Sequence, residues 1–281
     1  MTDIKEVTLK GISGNIAALE MGNPNGKRLF AVHGWLDNGA SFIPLARELP
    51  HYHWISMDFA GHGKSDHRPA GTYYHIMDHV ADMLAAVNSL EWSTFDLIGH
   101  SLGAGVASLF AAAFPERIGK LVLVDGIGPV SESPSETLSR FRRSMAERDQ
   151  KTSIQSRPFI SWGQLVDLRM AAGKMKQESA EILMRRNASE TPEGVVLDTD
   201  RRLKQTSPAY MENGQVCRLL GGIEAQTLLI RATNGIIRNR ESTASRLKAI
   251  KRLSVKELEG NHHLHMDEPK SVAPAVAEFL Q

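Results

Sequence analysis

The stretch FDLIGHSLGAGVASLFAAAFPERIGKLVLVDGIGP, residues 95–129, contains the pattern that decides the predicted fold. A short apolar run at 95–98 leads into the pentapeptide GHSLG, and an alanine-rich run with helical spacing follows it. In this context a G-x-S-x-G serine lies on a sharp strand-to-helix turn, which lifts its hydroxyl above the edge of the sheet. The stretch therefore predicts a strand, a tight turn and a helix, with Ser101 as the candidate nucleophile.

Similar short apolar runs recur along the chain, and stretches with helical spacing separate them. Runs of this kind, bounded by glycine or charge, are typical of buried parallel strands. The predicted strands are residues 29–32, 54–59, 95–98, 121–124, 227–230 and 253–258. The predicted helices are residues 41–49, 76–90, 102–114, 240–250 and 270–280. This alternation predicts an α/β fold with helices on both faces of a mostly parallel sheet. Segment 6–22 alternates in polarity about a turn at Gly14 and Asn15, which predicts an antiparallel edge.

The alternation stops between residues 130 and 213, where no strand is evident and polar, basic helical patterns dominate. We interpret this segment as a helical insertion between two strands. Its basic residues could bind an anionic ligand, but the interleaved acidic residues favour a solvated helical face. These basic residues include Arg140, Arg142, Arg143, Arg185, Arg186, Arg201 and Arg202.

The composition is that of an ordinary globular protein whose partner is a small molecule. Of 281 residues, 42% are hydrophobic, and 33 basic side chains nearly balance 32 acidic ones. This balance gives no field that would attract nucleic acid or an anionic membrane. The lone Cys217 excludes an intramolecular disulfide and suits a reducing compartment, and the charged opening MTDIKEVTLK lacks an apolar signal core. We therefore expect a cytoplasmic monomer or homodimer that needs no cofactor.

A serine nucleophile also needs amide donors that stabilise the oxyanion of the tetrahedral intermediate. The backbone N–H of Leu102, the residue after Ser101, is the first candidate. The second is the N–H of Trp35, in the turn VHGWLDNGASF after an earlier strand, where Gly34 can adopt the required backbone conformation. We expect His33 to brace this turn through hydrogen bonds.

Four motifs together make the sequence resemble the α/β-hydrolase superfamily. They are HGW at 33–35, DFAGHGKSD at 58–66, GHSLG at 99–103 and GNHHLHMDEP at 260–269. Within the superfamily, HGWLDN, DFAGHGKSDHRP, LVLVDGIGP and GNHHLHMDEP most resemble the serine hydrolase-like (kraken) group. The resemblance implies an eight-stranded, mostly parallel sheet with a helical cap inserted after the sixth strand. It thus predicts a catalytic core at residues 1–129 and 214–281 and a cap at residues 130–213.

The resemblance also indicates which of the eleven histidines is the catalytic base. In the family this histidine follows the last strand, where the present chain has His262, His263 and His265. The family's usual spacing of seven steps to the proline before the last helix, here Pro269, selects His262 and leaves His263 as the nearest rival. A metal site built from these histidines alone would lack an acidic or cysteine partner, so we expect no metal.

The position of the acid that would orient the histidine departs from the commoner pattern of the superfamily. Most members place it in a G-x-x-D turn after the seventh strand, where this chain has Ala232 and Gly235. Some relatives take it from the end of the sixth strand, where Asp125 stands. Two alternatives remain: Asp125 only caps its turn, or Asn234 orients the imidazole as a neutral amide. If Asp125 is the acid, its carboxylate should lie within ~3 Å of the His262 Nδ1.

With Ser101, His262 and Asp125 as a triad, the sequence predicts a carboxylesterase-like serine hydrolase. It would cleave a small to medium carboxylic ester through an acyl-enzyme. Superfamily members that open epoxides or remove halogens have aspartate in the place of Ser101, so those reactions are disfavoured. Amide, thioester, lactone and C–C bond hydrolysis and perhydrolysis stay compatible, as does a binding or signalling protein with little turnover.

Further residues are candidates for the pocket or its support. Around the triad these are His33, Gly34, His100, Asn234 and Ile236. In the insertion, apolar residues at helical spacing are more typical of a cap core than of substrate contacts. They are Phe141, Phe159, Trp162, Leu165, Leu168 and Met170.

Overall fold

The computed structural model describes residues 4–149, 161–238 and 241–281. Its strands, in chain order, are β1 (Lys5–Lys10), β2 (Asn15–Gly22), β3 (Arg28–Val32), β4 (His53–Met57), β5 (Phe95–His100), β6 (Ile118–Val124), β7 (Ala188–Thr191), β8 (Gly194–Leu197), β9 (Gln226–Asn234) and β10 (Leu253–Asn261). Within these described ranges, eight strands form one sheet in the order β1-β2-β4-β3-β5-β6-β9-β10. Strand β2 is antiparallel to both β1 and β4, and the neighbouring pairs from β4 to β10 are parallel. The predicted mostly parallel sheet with an antiparallel edge is confirmed.

Helices cover both faces of this sheet, as the alternation predicts. They are α1 (Ile43–Glu48), α2 (Ile76–Ser89), α3 (Leu102–Ala113), α4 (Thr137–Asp149), α5 (Trp162–Gly173), α6 (Gln177–Asn187), α7 (Asn213–Leu220), α8 (Thr243–Ala249), α9 (Leu264–Asp267) and α10 (Pro269–Leu280). Helices α2, α3 and α7 pack on one face around Phe30, Met83 and Phe110. Helices α1 and α10 pack on the other face around Trp54 and Val276. No helix within the described ranges combines the length and the apolar character needed to span a bilayer.

The parallel strands place their carboxyl ends along one edge of the sheet, where loops from β3, β5, β6, β9 and β10 meet. The predicted strand 54–59 ends at Met57 in the structure, and the carboxylate of the next residue, Asp58, accepts the N–H groups of Gly39 at 2.7 Å and Lys64 at 2.8 Å. The predicted helix 240–250 begins at Thr243 in the structure, and Arg240 lies outside the described residues.

Between β6 and α7 the chain forms α4, α5, α6 and a hairpin of β7 and β8. The expectation that residues 130–213 contain no strand was therefore wrong. Each strand of the hairpin has four residues, of which only Ala188 and Val195 are buried. Strand β7 is polar, and the apolar run of β8 at 195–197 has only three residues, so an analysis of hydrophobic pattern misses the hairpin.

Buried polar contacts attach α6 to the sheet. Arg186 was expected on a solvated helical face, but it is 6% exposed. Its Nε donates to Asp58 Oδ2 at 2.9 Å, and its Nη1 pairs with Glu6. The expectation failed because charge pattern alone does not show which charges meet partners from elsewhere in the fold. A guanidinium at this depth needs such carboxylates to offset its lost hydration.

One buried arginine ties the two ends of the insertion to the core. The Arg246 guanidinium donates to the carbonyl oxygens of Ile127 at 2.8 Å and Pro129 at 2.7 Å, and to Ser131 Oγ at 2.6 Å. Its Nε donates to Asn213 Oδ1 at 2.9 Å. The inserted segment thus leaves and re-enters the core at one place, beside α8.

Candidate active site

Ser101 occupies the turn between β5 and α3 in strained backbone geometry. Its φ is 53° and its ψ is −112°, outside the regions that L-residues normally populate. Two glycines make the turn possible. A Cβ at Gly99 would lie 2.4 Å from the Gly103 carbonyl oxygen, and a Cβ at Gly103 would lie 2.0 Å from the Val32 carbonyl oxygen. The turn therefore holds the serine at the carboxyl edge of the sheet, above the first amides of α3.

The two candidate oxyanion donors lie on adjacent loops at this edge. Leu102 begins α3, where backbone N–H groups have no acceptor within the helix. Trp35 follows the end of β3, the strand beside β5. This loop packs directly on α3, since a Cβ at Gly103 would also lie 2.6 Å from the His33 carbonyl oxygen. The Trp35 indole is half exposed, and its Nε1–H donates to the Leu203 carbonyl oxygen at 3.0 Å.

His33 braces the loop that carries Trp35. Its Nδ1–H donates to the Gly34 carbonyl oxygen at 2.7 Å, while its Nε2 accepts the Phe59 N–H at 3.0 Å. Because an amide N–H can only donate, this pairing fixes the tautomer of the ring. Burial lowers the pKa of His33 to about 4, so the ring is neutral near pH 7. A neutral imidazole with both nitrogens engaged supports the loop and is not free to act as a base.

His262 and Asp125 make the contact expected of a base and its orienting acid. Asp125 is fully buried just after β6, and His262 follows β10. His262 Nδ1 lies 2.6 Å from Asp125 Oδ2. Burial alone would raise the pKa of Asp125, but the hydrogen bond and charge of His262 and the Ile236 N–H lower it below its ordinary value. An ionised carboxylate in this position can hold the Nδ1–H and stabilise an imidazolium.

The loop after β9, where the commoner superfamily pattern has its acid, wraps around Asp125. The Ile236 N–H donates to Asp125 Oδ2 at 2.9 Å. A Cβ at Gly235 would lie 2.1 Å from Asp125 Oδ1. The glycine at the place of the missing aspartate thus leaves room for the carboxylate that comes from β6. Sequence reasoning noted Gly235 as a missing acid and overlooked this steric role.

Two other candidates on this loop have different surroundings. Asn234 is the last residue of β9 and is exposed. The His262 Nδ1 position that it would have to engage is taken by Asp125. The side chain of Ile236 is 42% exposed, and the contact that this residue makes with the site is through its backbone N–H.

A cluster of charged and titratable side chains lies beside the triad, and sequence reasoning did not find it. We call Asp37, His100, Arg169 and His263 the Asp37 cluster. Asp37 Oδ2 lies 3.6 Å from His100 Nδ1 and 3.4 Å from His263 Nε2, and Arg169 of α5 pairs with Asp37 Oδ1. Burial would raise the pKa of Asp37, but His263, His100 and Arg169 together lower it well below its ordinary value. The members are far apart in sequence, so only folding brings them together.

His100 connects the Asp37 cluster to the candidate base. Its Nε2–H donates to the backbone carbonyl oxygen of His262 at 2.9 Å, and the two rings lie 4.6 Å apart. Burial, helped by the neighbouring His262, lowers the pKa of His100 to about 4. A neutral His100, the residue directly before Ser101, therefore supports the backbone of His262.

The other two histidines of the GNHHLHMDEP motif have structural surroundings. His263, the rival base, faces Asp37, and its Nε2 accepts from Arg169 Nη2 at 3.2 Å. His265 is fully buried, with its ring 4.2 Å from that of His100. The structure thus brings His262, and not His263, against Asp125.

The apolar candidates of the insertion fall into two groups. Leu165 is buried in a cluster of the insertion, and Trp162 and Met170 pack against that cluster. Leu168 is 53% exposed and Phe141 is 49% exposed. Phe159 lies outside the described residues.

Comparison with known proteins adds to this geometry. Residues 27–269 match the model of the alpha/beta hydrolase fold family. Serine hydrolase-like protein 2 of Homo sapiens is 31% identical over 296 aligned residues, which cover 99% of this chain and 94% of the human protein. The serine hydrolase-like protein of Danio rerio is 29% identical over 279 residues, 95% of this chain and 86% of that protein. The crystal structure of a hypothetical protein from Pseudomonas aeruginosa PAO1 is 32% identical, with a TM-score of 0.91 over 98% of both chains.

Proposed function

Because this chain belongs to the α/β-hydrolase fold family, we propose that it is a carboxylesterase-like serine hydrolase that cleaves small to medium carboxylic esters through an acyl-enzyme. The family and the serine hydrolase-like relatives support hydrolase activity. The observation that carries the finer proposal is the 2.6 Å contact between His262 Nδ1 and Asp125 Oδ2 beside the strained turn of Ser101. A nucleophile after β5, an acid after β6 and a base after β10, all at the carboxyl edge of the sheet, are what acyl transfer requires.

In the acylation step, Ser101 Oγ attacks the ester carbonyl carbon while His262 Nε2 takes the hydroxyl proton. Asp125 holds the Nδ1–H and stabilises the imidazolium. The carbonyl π electrons move to the oxygen, and the N–H groups of Leu102 and Trp35 stabilise that oxyanion. When the intermediate collapses, the alkoxide leaves with the proton from His262 Nε2, and the acyl group remains on Ser101.

In the deacylation step, water takes the place of the alcohol. His262 Nε2 removes a proton from the water as its oxygen attacks the acyl carbon. The second tetrahedral intermediate collapses to the carboxylic acid, and the proton on His262 returns to Ser101 Oγ. These steps need no cofactor. Every residue assigned to them comes from one chain, so a monomer would suffice, and the lone cysteine supports a reducing compartment such as the cytoplasm.

The test is hydrolysis of p-nitrophenyl acetate, butyrate and octanoate by the wild type, Ser101→Ala and the matched control Ser254→Ala. Ser254 is exposed on β10, away from the carboxyl ends of the strands. We expect Ser101→Ala to lower kcat by a factor of about 10⁴ or more, since the loss of a triad nucleophile has effects of this size. Ser254→Ala should match the wild type.

Three results would redirect or overturn the proposal. Full activity of Ser101→Ala would remove Ser101 as the nucleophile. Tight ester binding with negligible turnover by the wild type would favour a binding protein built on the fold. Turnover of lactones or C–C bonded diketones in the absence of turnover of any p-nitrophenyl ester would keep the triad and change the substrate class.

A further inference from the structure

Three buried side chains beside the triad bring acceptor atoms together in a way that the hydrolytic reaction does not use. Asp37, His100 and His263 are each at most 5% exposed. Asp37 Oδ2 lies 3.6 Å from His100 Nδ1 and 3.4 Å from His263 Nε2, and all three atoms lie within 4.8 Å of one another. Among the described residues, Asp37 Oδ2 and His100 Nδ1 have no hydrogen-bond partner.

Neighbouring groups fix which ring nitrogens carry a lone pair. The His100 Nε2 faces the His262 carbonyl oxygen at 2.9 Å, and because a carbonyl only accepts, the proton is on Nε2. The His263 Nε2 lies 3.2 Å from Arg169 Nη2, and because a guanidinium only donates, this nitrogen accepts. The His100 Nδ1 and the His263 Nε2 thus present lone pairs toward a carboxylate that can only accept. Buried acceptors that face one another are unfavourable unless a cation or donor lies between them.

We propose that Asp37, His100 and His263 form a site for a Zn²⁺-like transition-metal ion, and that the ion inhibits the hydrolase when bound. Two imidazole nitrogens and one carboxylate oxygen are a donor set that Zn²⁺ prefers. Tetrahedral Zn²⁺ with bonds of about 2.0 to 2.1 Å separates its ligand atoms by about 3.3 to 3.4 Å, close to the two spacings of Asp37 Oδ2.

The hydrogen bond on the far side of His100 also suits a metal ligand. Histidines that bind a metal through one ring nitrogen usually donate the other N–H to a carbonyl or carboxylate, which fixes the ring. His100 does this through its Nε2–H and the His262 carbonyl oxygen at 2.9 Å. In the fold, His100 and His263 have an acidic partner, Asp37, which the HHLH sequence alone does not supply.

Arg169 opposes binding of the ion. Its Nη2 pairs with Asp37 Oδ1 and lies 3.2 Å from the His263 Nε2 that would bind the metal. A positive guanidinium repels a divalent cation at this distance, and the same nitrogen cannot accept from Arg169 and bind a metal at once. Because the Arg169 side chain is 14% exposed and reaches in from α5, it can withdraw toward solvent as the ion enters. Metal and Arg169 therefore compete for His263.

The expected inhibition follows from the positions of the ligands. His100 directly precedes Ser101, and His263 directly follows His262. An ion that draws both imidazoles toward Asp37 shifts the nucleophile turn and the backbone of the base together, and small displacements of this kind lower kcat. This consequence rests on the proposed function, whereas binding of the ion does not.

Binding is tested with tag-free protein by calorimetric titration with ZnCl₂ and by the visible absorption of added Co²⁺, which is strong for four-coordinate sites. We expect one ion per chain and no binding of Mg²⁺, which prefers oxygen ligands. Asp37→Asn and His263→Asn should each weaken binding at least about tenfold, and Arg169→Gln should tighten it about tenfold because a competing charge is removed. Melting temperatures show that each variant is folded.

The control variant is His262→Asn, which should retain the ion because His262 is not among the proposed ligands. Zn²⁺ binding that is lost in His262→Asn but kept in His263→Asn would overturn the proposal, since the ion would then lie on the triad. Absence of binding by both the wild type and Arg169→Gln would also overturn it. If the Co²⁺ spectrum behaves as expected but the esters are not hydrolysed, the metal site stands and the proposed function fails. In an active enzyme, Arg169→Gln should be inhibited at lower Zn²⁺ concentrations than the wild type.

Discussion

Gly235 lies so close to Asp125 that a Cβ at this position would be 2.1 Å from Oδ1 of the carboxylate. Two N–H groups approach that carboxylate, from Ile236 of the same loop at 2.9 Å and from Ala232 of β9 at 3.4 Å. The loop after β9 is thus shaped around an acid that comes from β6. An aspartate in place of Gly235 would need the space that Asp125 occupies, which explains why the chain carries one and lacks the other.

The Gly235→Ala variant tests this fit. The added methyl group should displace the carboxylate from His262 and lower kcat for p-nitrophenyl butyrate at least about tenfold, within the ~10⁴-fold loss seen when a triad acid is replaced. The matched control is Gly214→Ala on α7, where nothing lies within 4 Å of the added Cβ. Unchanged kcat in Gly235→Ala would contradict the close contact with Asp125.

The choice between Asp125 and Asn234 as the orienting group is tested by Asp125→Asn and Asn234→Ala. An amide at 125 cannot stabilise the imidazolium and favours the wrong tautomer, so kcat should fall by about 10³ to 10⁴. Asn234 is exposed, and its replacement should change kcat by less than about threefold, as is usual for a surface side chain outside the reaction. Steady-state kinetics at saturating substrate measure kcat for both variants. A large loss in Asn234→Ala with little change in Asp125→Asn would assign the orienting role to Asn234.

At the scale of the elements, β3, β5 and α3 meet without side chains between them. The Gly103 Cβ position is 2.0 Å from a backbone oxygen of Val32, which cannot rotate away as a side chain could. We expect Gly103→Ala to lower the free energy of unfolding by about 3 kcal/mol, the cost of forcing an atom into a packed contact. Gly214→Ala adds the same methyl group on α7 and should change the free energy of unfolding by less than about 1 kcal/mol. Urea unfolding of both variants measures the difference, and equal values would refute the steric account.

How well each element can be predicted from the sequence depends on how many of its residues are buried. Residues 121–124 of β6 are all buried and apolar, so this part of the strand appears as a continuous apolar run. The hairpin of β7 and β8 has one buried residue in each strand, and its apolar run at 195–197 is too short to indicate a strand. The site divides in the same way: Ser101, Asp125 and His262 could be proposed from motifs and family order. The Asp37 cluster could not, because residues 37, 100, 169 and 263 share neither motif nor spacing.

At the scale of the whole molecule, several histidines are buried in the neutral form. Burial lowers the pKa of His33 to about 4 and, together with His33, that of His62 to about 3, from the ordinary value of 6.5. Their pKa values in the folded state lie below those in the unfolded chain. The unfolded chain therefore binds more protons as the pH falls, and the folded state loses stability below pH 6.5.

The folded protein should accordingly be less stable near pH 5 than near pH 7.5. A histidine that stays neutral in the folded state contributes a loss of about 2 kcal/mol at pH 5. His62→Asn, whose amide can still donate to the Ala60 carbonyl oxygen as His62 Nδ1 does, should reduce the difference between the two pH values by about this amount. His51→Asn, at an exposed position, should leave the difference unchanged. Denaturant unfolding at both pH values measures this difference in stability. The same difference for His62→Asn and the wild type would contradict the burial argument.

If the proposed mechanism holds, Ser101 carries the acyl group during hydrolysis. The most direct measurement is to quench the reaction with p-nitrophenyl butyrate in acid within the first turnover and to identify the modified peptide by mass spectrometry. We expect a butyryl group on the peptide that contains Ser101, and in Asp125→Asn and His262→Asn this acylated peptide should accumulate only at greatly reduced rates. A butyryl group on any other residue, or hydrolysis in the wild type with no acylated peptide at any quench time, would contradict it.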